Sequence, residues 1–272
     1  MADFVATYSP AAWVGLLGAG ILIGVLGGLL GIGGGVVAVP VLIEIFGIMG
    51  LESGVGVATA IGTAQASIVV ASATAAAAHW RAGTIDAALV RAWLPGLLVG
   101  SALGLWIGSL ASPTHLTMVF AATAVILALK IGTGDRLVIA PVPPSGALGQ
   151  LPPTVVGALA SAVGVGGGTL STPVLSLFDF PIRRAIGAGA LFNLVIAVPA
   201  TAFFLGHNLD RPGRPGDALG DVALICVAAL SLPALFVAPI AARWSTRMPV
   251  SLLRRLFALC LVVIAVRLIL HT

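Results

Sequence analysis

A chain of 272 residues that is 59% hydrophobic and only 8% charged cannot cover a water-facing surface, because soluble domains carry about 25% charged residues. That composition, with a mean hydropathy of +1.16, excludes an ordinary soluble enzyme and predicts a polytopic membrane protein. Thirteen Lys and Arg against nine Asp and Glu leave a net charge of +4, but the basic residues lie scattered between apolar blocks and form no stripe for nucleic acid.

Met1-Ala2-Asp3-Phe4 lacks the basic start of a secretory signal, so the first apolar run is expected to stay in the membrane. Apolar runs follow at 11–30, 34–48, 54–79, 90–110 and 115–131, and, after a Pro-rich gap, at 147–163, 168–178, 184–206, 220–242 and 252–270. A spanning helix needs about 20 apolar residues. Eight of the ten runs approach that length, while Val36–Ile48 and Thr169–Phe178 do not. Each short run follows a glycine cluster and is expected to be a half-helix. Cys226 and Cys260 both lie inside apolar runs, so no disulfide framework is implied.

The gap at 132–146, with Pro141, Pro143 and Pro144, divides the chain into a first membrane repeat at 1–131 and a second at 147–272. Counting crossings from the N-terminus, with each half-helix paired to its neighbour, puts Arg81, Arg91, Lys130, Arg136, Arg183, Arg184, Arg243, Arg247, Arg254 and Arg255 on one side. Only Arg211, Arg214 and Arg267 fall on the other. Positive charge marks the cytoplasm, so both termini are expected on the periplasmic side of a bacterial inner membrane.

The two halves share a motif. Gly31-Ile32-Gly33-Gly34-Gly35-Val36-Val37-Ala38-Val39-Pro40-Val41-Leu42 matches Gly164-Val165-Gly166-Gly167-Gly168-Thr169-Leu170-Ser171-Thr172-Pro173-Val174-Leu175 at seven of twelve positions, offset by 133. Leu94-Pro95 and Trp106 pair more weakly with Leu232-Pro233 and Trp244. Five runs per half is an odd number, so the second half is expected upside down relative to the first, an inverted-topology repeat. The fold predicted is all-α, with about eight full spans plus two short glycine-led half-helices.

Glycine-rich backbone free of Cβ atoms can turn successive N–H groups toward one point and hold an anion. A half-helix beginning there adds the positive end of its dipole. Gly33, Gly34, Gly35, Gly166, Gly167 and Gly168 are therefore the candidate cradle, formed without a fixed cation. Gln65 and Asn193, polar residues inside apolar runs, are candidate side-chain donors; the alternative for each is an interhelical hydrogen bond. Thr169, Ser171 and Thr172 follow the second cluster, with bonding to their own backbone as the alternative. Gly96, Gly100, Gly104 and Gly108, spaced by four, read as packing positions. His79-Trp80-Arg81 reads as an interfacial anchor, and Glu44, closing the first half-helix, is a candidate proton-coupling site.

Gly-Leu-Leu-Gly-Ile-Gly-Gly-Gly at 28–35, followed by Pro-Val-Leu and repeated once, resembles the TauE/SafE family of sulfite and organosulfur anion exporters, the 4-toluene sulfonate uptake permease-like group. Arg81-Ala82-Gly83-Thr84-Ile85-Asp86 and Leu253-Arg254-Arg255-Leu256-Phe257-Ala258-Leu259 extend the resemblance over nearly the whole chain. It implies a transporter of sulfite, sulfonates or related small anions.

His-Glu-x-x-His, Cys-x-x-Cys and Gly-x-Ser-x-Gly are absent from the sequence. No enzyme, metal or cofactor is expected. The reading is a secondary transporter that moves a small sulfur-containing oxyanion by alternating access as its halves rock. The alternative is a passive anion channel with the glycines as selectivity site. The expected partners are the anion and the lipid bilayer, with no nucleic acid; which anion, and the oligomeric state, stay open.

Overall fold

The computed structural model describes residues 8–110, 146–206 and 212–270, with isolated positions between. The fifth apolar run at 115–131 and nearly all of the 132–146 linker lie outside the described residues. Nine α-helices are described: α1 Pro10–Leu30, α2 Gly35–Ile48, α3 Ser53–Arg81, α4 Ala87–Leu110, α5 Leu151–Val163, α6 Gly168–Ser176, α7 Ile182–Gly206, α8 Leu224–Arg247 and α9 Val250–Leu270. A two-stranded hairpin, β1 Ala218–Leu219 and β2 Val222–Ala223, precedes α8. Five helices, α1, α3, α4, α7 and α8, are long and apolar enough to cross a membrane.

Local chemistry sets the helix ends. Ser9 caps α1 by accepting from the Ala12 N–H at 3.2 Å, with Pro10 opening the helix. The Asp86 carboxylate accepts from the N–H groups of Ala88 and Leu89 at the start of α4. Gly31 and Gly164 close α1 and α5 in the left-handed region, at φ +66° and +79°. The two short runs are α2, of 14 residues, and α6, of nine, as their lengths predict.

One expected full span is shorter than read from the sequence. The run at 147–163 yields only the 13 residues of α5 after a single 3-10 turn at Leu148–Gln150. At 1.5 Å per residue this helix reaches about 20 Å. Pro152 and Pro153 fix its start and the left-handed Gly164 its end.

The helices of the two halves exchange partners. The most extensive pairings are α1 with α8 and α4 with α5, followed by α3 with α7. In each of the first two, a glycine stripe spaced by four brings the backbones together. A Cβ on Gly20, Gly24 or Gly28 would run into Leu230, Val237 or Ala238 of α8, and one on Gly100 or Gly104 into the Thr154 or Ala158 carbonyl of α5. Gly96 lies against Pro153 and Gln150, and Gly108 makes looser contact with Ala162. Gln150 ties the same interface, donating to the Ala92 carbonyl and accepting from the Gly96 N–H, each at 2.9 Å.

The two ends of the bundle differ in charge. Arg183 donates to the Met248 carbonyl at 2.8 Å and Arg184 pairs with Asp86 at 3.4 Å, which brings the ends of α3 and α8 and the starts of α4, α7 and α9 together. Arg81, Arg91, Arg243, Arg247 and Arg255 belong to the same end by their places on these helices. At the opposite end, Tyr8 donates to Asp217 at 3.0 Å, and the hairpin folds back over α3 and α7. The Asp221 N–H donates to the Phe204 carbonyl at 2.8 Å and the Ala223 N–H to Thr63 Oγ1 at 2.9 Å. Arg214 and Asp221 form an ion pair at 3.0 Å, 8% and 1% exposed. Burial pushes the Tyr8 phenol up, with Cys226 and Asp217 adding to the effect.

Candidate functional site

The two glycine clusters meet inside the bundle, with all of Gly31–Val36 and Gly164–Thr169 buried. Their contact is reciprocal: a Cβ on Gly168 would collide with the Gly31 carbonyl oxygen, and one on Gly35 with the Gly164 carbonyl oxygen. The 133-residue offset relates Gly31 to Gly164 and Gly35 to Gly168, so each cluster presents the same carbonyl to the same α-carbon of the other.

Asn193 on α7 joins them. Its Nδ2 donates to the Gly31 carbonyl at 2.8 Å and its Oδ1 accepts from the Gly168 N–H at 2.6 Å. Gly33 and Gly166, at φ +80° and +84°, both press against this side chain. Only glycine adopts that conformation without strain and leaves room for the amide. Thr169 adds a second tie, its hydroxyl reaching the Ile32 carbonyl at 2.9 Å and the Val165 carbonyl at 3.3 Å. Asn193 and Thr169 thus both spend hydrogen bonds on holding the clusters together. Asn193 keeps one amide hydrogen, and Thr169 keeps oxygen lone pairs but no donor.

The clusters are not conformational copies. Gly34, at φ +80°, is the N-cap of α2, whereas Gly167, the N-cap of α6, has φ −68°, so an alanine at 167 meets no left-handed strain. Neither glycine offers a side-chain oxygen to the first-turn N–H groups of its half-helix. At α6 Asn193 takes the Gly168 N–H. At α2 a Cβ on Gly35 would meet the Gly164 carbonyl oxygen and the Ile68 side chain, and no side chain caps the first turn, so the positive end of α2 lacks the side-chain acceptor that Asn193 gives α6.

Gln65 stands at that end. Ile61 lies against Gly164 and Ile68 against Gly35; Gln65, four residues after the one and three before the other, shares their face of α3. The side chain is 0% exposed, and neither its amide oxygen nor its amide nitrogen has a hydrogen-bond partner. Leaving a buried amide unpaired costs about 1–3 kcal/mol, and among the buried side chains without partners Gln65 is the one with both a donor and an acceptor unsatisfied in one amide. Ser72, one turn beyond Ile68 on the same face, and Ser171, one turn into α6, also carry buried hydroxyls without partners. Thr172 Oγ1 instead reaches the Ala185 carbonyl at 3.4 Å.

Two side chains differ from their sequence reading. His79 is 1% exposed and holds two hydrogen bonds inside the protein, while its neighbours Trp80 and Arg81 are exposed; the tryptophan and the arginine have the exposure of an interfacial anchor, and the histidine does not. The His-Trp-Arg string masked this, because adjacent helix residues point in different directions. Glu44 is exposed on α2, away from the cluster junction. The described residues contain no group of three or more His, Cys, Asp or Glu placed to hold a metal ion.

The family model for the sulfite exporter TauE/SafE matches residues 16–268. A probable membrane transporter protein of Haemophilus influenzae is 31% identical over 257 residues, covering 92% of this chain and 96% of that protein. No solved structure matches. The apolar helices, the doubled glycine clusters and a match over almost the entire length agree: the chain belongs to the TauE/SafE family of membrane transporters.

Proposed function

We propose that the protein is a secondary transporter that moves a small sulfur-containing oxyanion, of the sulfite or sulfonate type, by alternating access across the bacterial inner membrane. The observation that carries this reading is the unpartnered, fully buried amide of Gln65, set against the meeting point of the clusters. An oxyanion there would accept from the Gln65 amide and from N–H groups of Gly33, Gly34 and Gly35 at the positive end of α2. From the second half, Gly166, Gly167, Gly168, Thr169 and Asn193 would form the opposite wall, with the remaining Asn193 amide hydrogen as a donor. Such a cradle is neutral, so it compensates the anion by dipoles and can release it. The reciprocal contact at an offset of 133 residues supports two inverted repeats. A site buried from both ends, one of them covered by the hairpin, favours alternating access over an open anion channel.

Thermal unfolding of the purified protein with sulfite, thiosulfate, sulfate, methanesulfonate and chloride tests the substrate class. A specific ligand at about 100 times its Kd is expected to add about 2.7 kcal/mol of apparent stability. Equal shifts with chloride and with the sulfur oxyanions, or no shift with any of them, would sink the assignment.

The bundle end that carries Arg183 and Arg184 is proposed to face the cytoplasm, which leaves both termini in the periplasm. With Cys226 and Cys260 replaced, single cysteines at positions 184 and 272 are expected to be shielded from and open to an impermeant thiol reagent in intact spheroplasts. The reverse pattern inverts the topology.

A further inference from the structure

His79 is a buried titratable side chain that the anion cradle leaves unused. Its Nε2 lies 3.0 Å from the Gly28 carbonyl on the last turn of α1, and its Nδ1 lies 3.0 Å from Thr84 Oγ1. A carbonyl only accepts, so Nε2 carries a hydrogen in every state that keeps this bond. The Nδ1 side is different, because Thr84 Oγ1 also lies 3.1 Å from the His79 carbonyl. In the neutral ring the Thr84 hydroxyl donates to Nδ1. In the imidazolium, Nδ1–H donates to Thr84 Oγ1, and the hydroxyl turns to donate to the His79 carbonyl. Rotation of one O–H bond therefore satisfies both protonation states without moving a heavy atom. A histidine held only for structure needs one such arrangement; this site supplies two.

Its position ties it to the cradle. Ile61 and His79 are 18 residues apart, which is five turns of helix, so Ile61, Gln65, Ile68, Ser72 and His79 form one stripe along α3. Between Ser72 and His79 the stripe holds only the small buried residues Ala75 and Ala76. The Gly28 carbonyl that receives Nε2–H lies three residues before Gly31, where the first cluster begins. Among the described residues the remaining charged groups at this end are Arg81 on α3 itself, Asp86 in the following turn, Arg91 on α4, Asp179 between α6 and α7, Arg183 and Arg184 on α7, Arg243 and Arg247 on α8, and Arg255 on α9. Asp86 is engaged by Arg184, and among the described residues no carboxylate pairs with His79. α1 carries no charged residue.

We infer that His79 is the proton-binding site of the transport cycle, loaded together with the anion. A buried imidazolium without a carboxylate partner is costly, and so is an anion held in a neutral cradle. Each offsets the other when both are present in one bundle. The proton is taken from water on one side and returned to water on the other, so a monoanion and one proton move together without net charge. This inference rests on the anion-transporter reading for its cargo, but not for the proton site itself.

Nitrogen-15 NMR of the full-length protein, labelled at its four histidines, reads the ring directly, and His79→Gln assigns the signal. The His79 ring is expected to take up a proton reversibly as the pH is lowered over the range in which the protein stays folded. Saturation with sulfite is expected to raise its midpoint by about one pH unit, a tenfold gain in proton affinity. Thr84→Val, which deprives Nδ1–H of its acceptor, is expected to lower the midpoint, and Thr84→Ser to restore it. A ring that stays neutral throughout the pH range in which the protein is folded overturns the inference. So does a midpoint that sulfite leaves unmoved while stabilising the same sample. Failure of sulfite to stabilise the wild-type protein counts against the cargo, while the anion-free titration and its response to Thr84→Val still decide the proton site.

Discussion

Gln65→Leu is expected to reduce transport to background while leaving the empty protein as stable as the wild type or more so, by about 1–3 kcal/mol. Leucine matches glutamine closely in volume, and the amide it replaces is fully buried without a partner. Removing an unsatisfied polar group relieves a cost, whereas removing a hydrogen-bonded one incurs it. The sign of the stability change therefore separates a residue kept for a ligand from one kept for the fold. Reconstituted flux and unfolding of the anion-free protein, measured on the same preparation, check both halves of the expectation. A less stable variant that transports normally would make Gln65 an ordinary structural residue.

Gly168→Ala is expected to abolish folding or to cost about 3 kcal/mol or more, because the new methyl group meets the Gly31 and Gly189 carbonyls, which are backbone and cannot rotate away. Gly167→Ala, one residue earlier, is expected to fold. Its φ of −68° suits alanine, and the nearest atom to the added methyl is the far end of the Ile196 side chain. Any loss of sulfite affinity in Gly167→Ala then reports on approach to the ligand and not on the fold. Gly100→Ala, which meets the Thr154 carbonyl far from the clusters, is expected to lower stability without changing the affinity of what still folds. Thermal unfolding and anion binding on the three variants give the comparison. Wild-type affinity in Gly167→Ala would remove the second cluster from the ligand's surroundings.

Much of this architecture is written in the sequence at the level of composition and spacing. The half-helices α2 and α6 follow from apolar runs too short to span, opened by glycine where the backbone has to turn. The packing role of Gly100 and Gly104 follows from spacing by four, since residues i and i+4 share a helix face. The length of α5 did not follow, because hydropathy registers Ala147 and Leu148 as apolar and is blind to how Pro152 and Pro153 set a helix start. Asn193 and Gln65 look alike in sequence, each a lone amide in an apolar run. What separates them is whether a carbonyl and an N–H from the two glycine clusters converge on the amide, and that depends on bringing Gly31, 162 residues away, beside Gly168. His79 was obscured by its neighbours, since its partners are the Gly28 carbonyl, 51 residues away, and a threonine five residues on.

The partner exchange between α1 and α8 and between α4 and α5 determines which bodies are able to move. Each pair is zipped by a glycine stripe with close backbone approach, so each is expected to move as a single strut. Each strut draws one helix from each half of the chain. Hinge motion about the anion would therefore not separate the first 131 residues from the last 126; it would tilt two mixed struts against each other, with the cluster junction as the fulcrum. Two fragments made by cutting between the halves would each lack a wall for their glycine-lined helix, and would become whole only by threading together.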